Sequence, residues 1–328
     1  MQEIDIQIDD FMLFCQSKGL ARKTMASYEQ TLKLFAMYLQ DNHMITDATK
    51  VKAEILRQYI KYLQDRGKYT VVVDEQTRVY NNPDGRTDIG KKVSTTTINN
   101  YIRNIKVFFT YLKEQRIIKF NPMENIKQLR NERIPRDFIS DEDFTKLLRH
   151  MDTSKFHEYR DYIIIQSIID TGMRIGECLA IVTEDIDLEK RCILLLAENT
   201  KGKKDRYIFF SPIMQQELRR WLEYKDRYVT SPYLFCTKRG TPLGIGNFET
   251  NFTNYGKRIK LDVNPHQLRN NFAKRFLMAG GDIYTLSRIL GHSSVTVTEK
   301  AYLDLTNDDI RKNYQRFSPL SNIRKAVK

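Results

Sequence analysis

The sequence predicts a mainly α-helical protein with a small β-sheet, divided into a helical N-terminal domain and an α+β C-terminal domain. Three observations predict it. Long stretches in both halves of the chain repeat apolar residues at three- and four-residue steps, the period of a helix buried on one face. In the second half, "RCILLLAENTKGKKDRYIFF" sets two β-type runs around a Lys/Gly turn, the pattern of a hairpin. Between the halves lies "RNERIPRD", a charged stretch broken by a proline, which reads as a linker.

Taken in order, the chain from about Ile6 to Leu129 reads as helical. "YEQTLKLFAMYLQ" brings Tyr28, Leu32, Phe35 and Leu39 to one helix face. "INNYIRNIKVFFTYLKEQ" does the same with Ile98, Tyr101, Ile105, Phe108 and Leu112. Both helices carry Lys and Arg on the opposite side. The segment between them, residues 68–92, has a β-branched run and a turn-rich centre from Asn81 to Gly85. It reads either as a β-hairpin or as a mobile insertion. These features divide the chain into a helical domain over 1–130, a linker over 131–137 and a second domain over 138–328.

The second domain opens at Ser140, where Asp143 three residues on forms a capping box, so the acidic cluster needs no metal to explain it. A helix from about Tyr159 to Val182 follows, then the hairpin. "PHQLRNNFAKRFLMAGG" is a helix stopped by two glycines, and "DIYTLSRIL" is another, stopped at Gly291.

Lys and Arg total 54 against 41 Asp and Glu, a formal net charge of +13. Such a surplus calls for a polyanionic partner, nucleic acid before an anionic membrane. No apolar run of spanning length, signal peptide or lipidation motif supports the membrane. Cys15, Cys178, Cys192 and Cys236 lie far apart, without metal-type spacing. They read as reduced thiols, and the expected location is cytoplasmic.

"TGMRIGECLA" places Arg174 among residues that want to be buried. An arginine so placed needs an anion, either an internal carboxylate or something the protein binds. Glu177, one turn on, could be that carboxylate. Lys201 sits in a lysine-rich turn where a solvated side chain is the default. His266 and Arg269 are three apart and share a helix face. His292 follows the Gly291 stop, and Tyr302 is one of 18 tyrosines. Singly, each has an ordinary structural reading.

The ordered set "TGMRIGE", "TKGKKDR", "HQLRNNF", "LGHSSVTVTEKAY" resembles the tyrosine recombinases, a family of phage integrases, Xer proteins and transposon integrases. The resemblance covers the whole chain. It implies a core-type DNA-binding domain followed by a catalytic domain with a C-terminal exchange segment. It makes Arg174, Lys201, His266, Arg269 and His292 the active-site residues, Tyr302 the nucleophile, and Glu177 the carboxylate that orients Arg174. Two positions depart from the family pattern. Asn270 stands where many members have a second histidine, and ten positions separate His292 from Tyr302 where many have nine.

What the resemblance implies is chemically coherent. Attack on a phosphodiester builds negative charge on the non-bridging oxygens, and guanidinium forks answer it better than point-charge lysines. A tyrosine nucleophile would hold the strand as a 3′-phosphotyrosyl ester without ATP. Lys201 would protonate the leaving 5′ oxygen. No cofactor and no metal are called for. The implied partners are duplex recombination sites and, on DNA, a tetramer of this chain, with room for an accessory DNA-bending protein. Two alternatives are a type IB topoisomerase-like enzyme and a non-catalytic DNA-binding accessory protein. The segment after Tyr302 favours a recombinase over the first, and the intact catalytic set argues against the second.

Overall fold

The computed structural model describes residues 2–73, 75, 78, 85–131, 138–200, 202, 204–292, 294–302, 311 and 314, without the side chains of 300–302. Two compact units divide it, Met1–Arg133 and Ile134–Lys328.

The first unit is helical: α1 (Glu3–Ser17), α2 (Arg22–His43), α3 (Ala53–Asp65) and α4 (Thr95–Glu114). The apolar stripes expected on α2 and α4 point into a common core, where Leu32, Phe35, Leu39, Ile98, Ile105, Phe108 and Leu112 are almost wholly buried. Phe11 of α1 meets the rings of Tyr28, Phe108 and Tyr111, with centroids 5.2–5.7 Å apart. A buried polar link runs across this core, in which the Asn104 amide donates to Thr31 Oγ1 at 3.0 Å. The opposite faces of α2 and α4 are exposed and carry Arg22, Lys23, Arg103, Lys106 and Lys113.

The ends of the 68–92 insertion are pinned together. Gly67 and Lys92 form an antiparallel bridge, and Lys68 N–H donates to the Lys91 carbonyl at 2.7 Å. Glu75 and Arg78 have helical backbone, while the centre of the insertion, at 79–84, lies outside the described residues. So do 132–137, which contain most of the expected linker.

The second unit begins with α5 (Asp141–Arg149), which Ser140 caps, its Oγ accepting from Asp143 N–H at 3.0 Å and donating to Asp143 Oδ2 at 2.9 Å. Next come α6 (Phe156–Thr171) and the short α7 (Ile175–Ala180). The single helix expected from Tyr159 to Val182 is therefore two. Gly172 at φ +70° caps α6 in the left-handed conformation, and a Cβ there would drive into the Phe272 ring. The chain re-enters helix with Arg174 in extended conformation as the N-cap of α7.

Strands β1 (Ile186–Asp187), β2 (Cys192–Leu195) and β3 (Arg206–Phe209) form one antiparallel sheet in sequence order. Ile193 pairs with Ile208 and Leu195 with Arg206, so β2 and β3 form the expected hairpin. Helices α8 (Pro212–Tyr228), α9 (Ile245–Arg258), α10 (Pro265–Met278), α11 (Ile283–Leu290) and α12 (Val295–Tyr302) complete the unit. Its core gathers Ile163, Ile164, Ile168, Ile208, Trp221 and Phe248, all inaccessible to solvent. All four cysteines are free and buried. Among the described residues no helix is long and apolar enough to cross a membrane. The proposed exchange segment, from 303 onward, lies almost entirely outside the described residues.

Candidate active site

Helix α11 supplies the centre of the site. Its last carbonyls have no intrahelical partner, and Gly291 at φ +63° ends the helix by turning the chain into the left-handed region. Arginines use the carbonyl thus exposed at Leu290. Arg269 reaches it from α10, donating from one Nη at 2.7 Å and from the other to the Gly172 carbonyl at 2.8 Å. Arg174 approaches the same oxygen at 3.5 Å from the start of α7. The guanidinium fork of Arg269 thereby ties together the ends of α6 and α11, and its side chain is almost fully buried. Two chain reversals set by glycine thus present the acceptors that hold it.

Glu177 is the carboxylate behind Arg174. It accepts from the Arg174 backbone N–H at 2.8 Å and from an Arg174 Nη at 2.8 Å. A second arginine, which the sequence reading did not single out, meets it from the sheet. Arg206 on β3 donates from both Nη atoms, at 3.1 and 2.7 Å. Burial alone would raise the Glu177 pKa, but the hydrogen bonds and charge of Arg206 and those of Arg174 outweigh it and hold the carboxyl below its ordinary value. One signal in the sequence could have revealed Arg206. In "RYIF" the period of two puts it on the face of the buried Ile208, away from exposed Tyr207 and Phe209, so an arginine points inward there.

His292 lies directly after Gly291, with its Nε2 3.1 Å from an Arg269 Nη and its Nδ1 2.7 Å from Thr298 Oγ1. An arginine only donates, so Nε2 accepts and, in the neutral ring, Nδ1 carries the proton toward Thr298. Burial, followed by the positive charges of Arg269, Arg174 and Arg206, pushes the His292 pKa down to about 4. Thr298 belongs to α12, whose backbone reaches position 302 one turn later.

Arg174, Arg269 and His292 are therefore brought together around one helix end. His266 is exposed on the first turn of α10, one turn before Arg269. Asn270, at the position of the family's second histidine, is buried. Lys201 lies outside the described residues, between flanking residues held by Thr200 Oγ1 accepting from Lys204 N–H at 3.2 Å. Tyr302 is placed by its helix backbone alone. Among the described residues no cluster of three His, Cys, Asp or Glu could hold a metal.

The model of the phage integrase family matches residues 137–308, more than half of the chain. Tyrosine recombinase XerC of Bacillus pumilus is 26% identical over 309 residues, covering 90% of this chain and 98% of that protein. XerD of Staphylococcus epidermidis is 24% identical over 319 residues, covering 95% and 98%. The integrase of transposon Tn1549, solved with transposon right-end DNA, has a TM-score of 0.71 at 19% identity, covering 97% of this chain and 100% of that one. XerH recombinase, solved on a palindromic difH substrate, has a TM-score of 0.64 at 20% identity, covering 91% and 80%. These two share the fold. The chain belongs to the phage integrase family and is a tyrosine recombinase.

Proposed function

We propose that this enzyme recombines specific duplex DNA sites by cleaving one strand through a 3′-phosphotyrosyl bond to Tyr302. One observation carries the reading: Arg174, Arg269 and His292 converge on the Leu290 end of α11, next to the helix that bears position 302. Arg174, whose side chain is 31% exposed, and Arg269 behind it would receive the non-bridging oxygens. The Tyr302 phenolate oxygen bonds to phosphorus as the bond to the 5′ oxygen breaks. His266 takes the phenol proton, because the His292 Nε2 lone pair already accepts from Arg269. Lys201 gives a proton to the leaving 5′ oxygen, and the ester keeps the bond energy for rejoining.

In this reading the helical domain binds the core of the site. Exposed Arg22, Lys23, Arg103, Lys106 and Lys113 would supply phosphate contacts that weaken with salt. Four copies on two duplexes would exchange strands, with the segment after Tyr302 linking neighbours.

The test is a duplex nicked near the cleavage position, which traps the covalent intermediate. The parent protein is expected to form a denaturant-resistant adduct. Tyr302→Phe, which loses only the phenolic oxygen, should bind DNA equally and form none. An adduct from the Phe variant would move the nucleophile elsewhere, with Tyr314 next to test.

A further inference from the structure

Glu177 and Arg174 alone would make a poor phosphate site. A carboxylate 2% exposed, 2.8 Å from the guanidinium, cancels the positive charge that should meet the phosphate. Arg206 changes that balance. Its side chain, 14% exposed, sets its two Nη atoms on the two carboxylate oxygens of Glu177. Its guanidinium also packs on Gly291, where a Cβ would stand 3.0 Å from Arg206 Cζ, and its Nε is buried with no hydrogen-bond partner among the described residues. Both of its Nη atoms are committed to that carboxylate. Gly291 thus serves the site twice, by ending α11 and by leaving space for this side chain.

We propose that Arg206 is a positioning residue for strand cleavage: it neutralises Glu177 and so leaves the full charge of Arg174 for the DNA phosphate. The count is simple. Arg174 and Arg206 bring two positive charges against one negative, a net of +1 where the Arg174–Glu177 pair alone has none. The carboxylate still orients Arg174 through its backbone N–H and its guanidinium, so direction and charge are supplied by different partners. A neutral glutamine at 177 would keep some of the orientation and remove the need for compensation. The roles of Arg206 and Glu177 are therefore coupled, and that coupling separates an electrostatic role from a merely structural one.

This inference rests on the proposed recombinase reading, and one experiment separates the two. Single-turnover adduct formation on the nicked duplex, DNA affinity and thermal melting are measured for the parent, Arg206→Met, Arg206→Lys, Glu177→Gln and the Glu177→Gln/Arg206→Met double variant. Arg206→Met should slow adduct formation on the order of 10- to 100-fold, at or below the loss of one preorganised donor, with DNA affinity little changed. Arg206→Lys should recover part of the rate, since it restores charge without the two-point contact. Adding Glu177→Gln to Arg206→Met should raise the rate above that of Arg206→Met alone. If the parent forms no adduct, the recombinase reading falls and this inference with it. If the parent reacts and Arg206→Met matches it, or the double variant is slower than Arg206→Met, the charge role is wrong and Arg206 only braces the hairpin. Should Arg206→Met not fold, Glu177→Gln and the double variant decide: with no carboxylate left to neutralise, removing Arg206 should cost little, and a double variant about 10-fold or more slower than Glu177→Gln overturns the charge role.

Discussion

Replacing Arg269 with lysine keeps the charge and removes the fork. In the folded chain the two Nη atoms serve acceptors on different elements, Gly172 O at 2.8 Å and Leu290 O at 2.7 Å. A lysine ammonium on a flexible stem does not reproduce that rigid fork, so at least one of these carbonyls loses its charged donor. A hydrogen bond to a charged group contributes about 1.5–3 kcal/mol, which sets the expected loss of stability. For a unit the size of Ile134–Lys328, each kcal/mol moves the midpoint by roughly 2–4 °C, so Arg269→Lys should melt roughly 3–12 °C below the parent. Adduct formation should fall further than stability alone explains, on the order of 10²–10³, because the fork that fixes the Leu290 end of α11 and the His292 ring beside it is lost, and with it the preorganisation of the site. Calorimetry and covalent trapping on the nicked duplex, done below both midpoints, read the two effects separately. A variant that melts with the parent and reacts at its rate would show that the fork between α6 and α11 contributes to neither.

Three further outcomes are expected. Lys201→Ala should slow cleavage, and a 5′-bridging phosphorothiolate should restore much of the rate because sulfur leaves without a proton; equal damage on both substrates would make Lys201 a phosphate contact and not the acid. Gly172→Ala combines a left-handed φ of +70° with a methyl directed into Phe272, and should cost about 2–5 kcal/mol, seen as a lower urea midpoint; an unchanged midpoint refutes it. His292, with a pKa near 4 when folded against an ordinary 6.5, takes up its proton more readily when unfolded. Its contribution to stability is therefore whole above about pH 6.5 and is lost as pH falls toward 4, and His292→Gln should flatten the stability profile in that window; an unchanged profile would mean the ring is not held neutral.

Much of this architecture is legible in local pattern. Apolar steps place the faces of α2 and α4, and Ser140 with Asp143 marks the start of α5, because each signal lies within a few residues. The Gly172 break between α6 and α7 is visible only if one glycine is weighed against the apolar residues on either side. The order of the motifs names Arg174, Arg269 and His292, but their meeting at Leu290 is a tertiary fact. Arg174 and Leu290 are 116 positions apart, and no periodicity reports such a distance. Arg206 escaped for a related reason. Its alternation with Ile208 in "RYIF" marks the inward face, but the carboxylate it meets there lies 29 positions away, beyond any local pattern.

The oxygen at Leu290 belongs to the main chain, so every amino acid at that position would offer it. Descendants of this protein are free to drift in side chain at 290, within what the core tolerates, without losing the anchor shared by Arg174 and Arg269. Length is another matter. Each residue added to or removed from α11 swings its terminal carbonyl by about 100°. A single in-frame insertion or deletion between Asp282 and Gly291 would therefore take from both arginines, together, the acceptor they share. This stretch should accept many substitutions and almost no change in length.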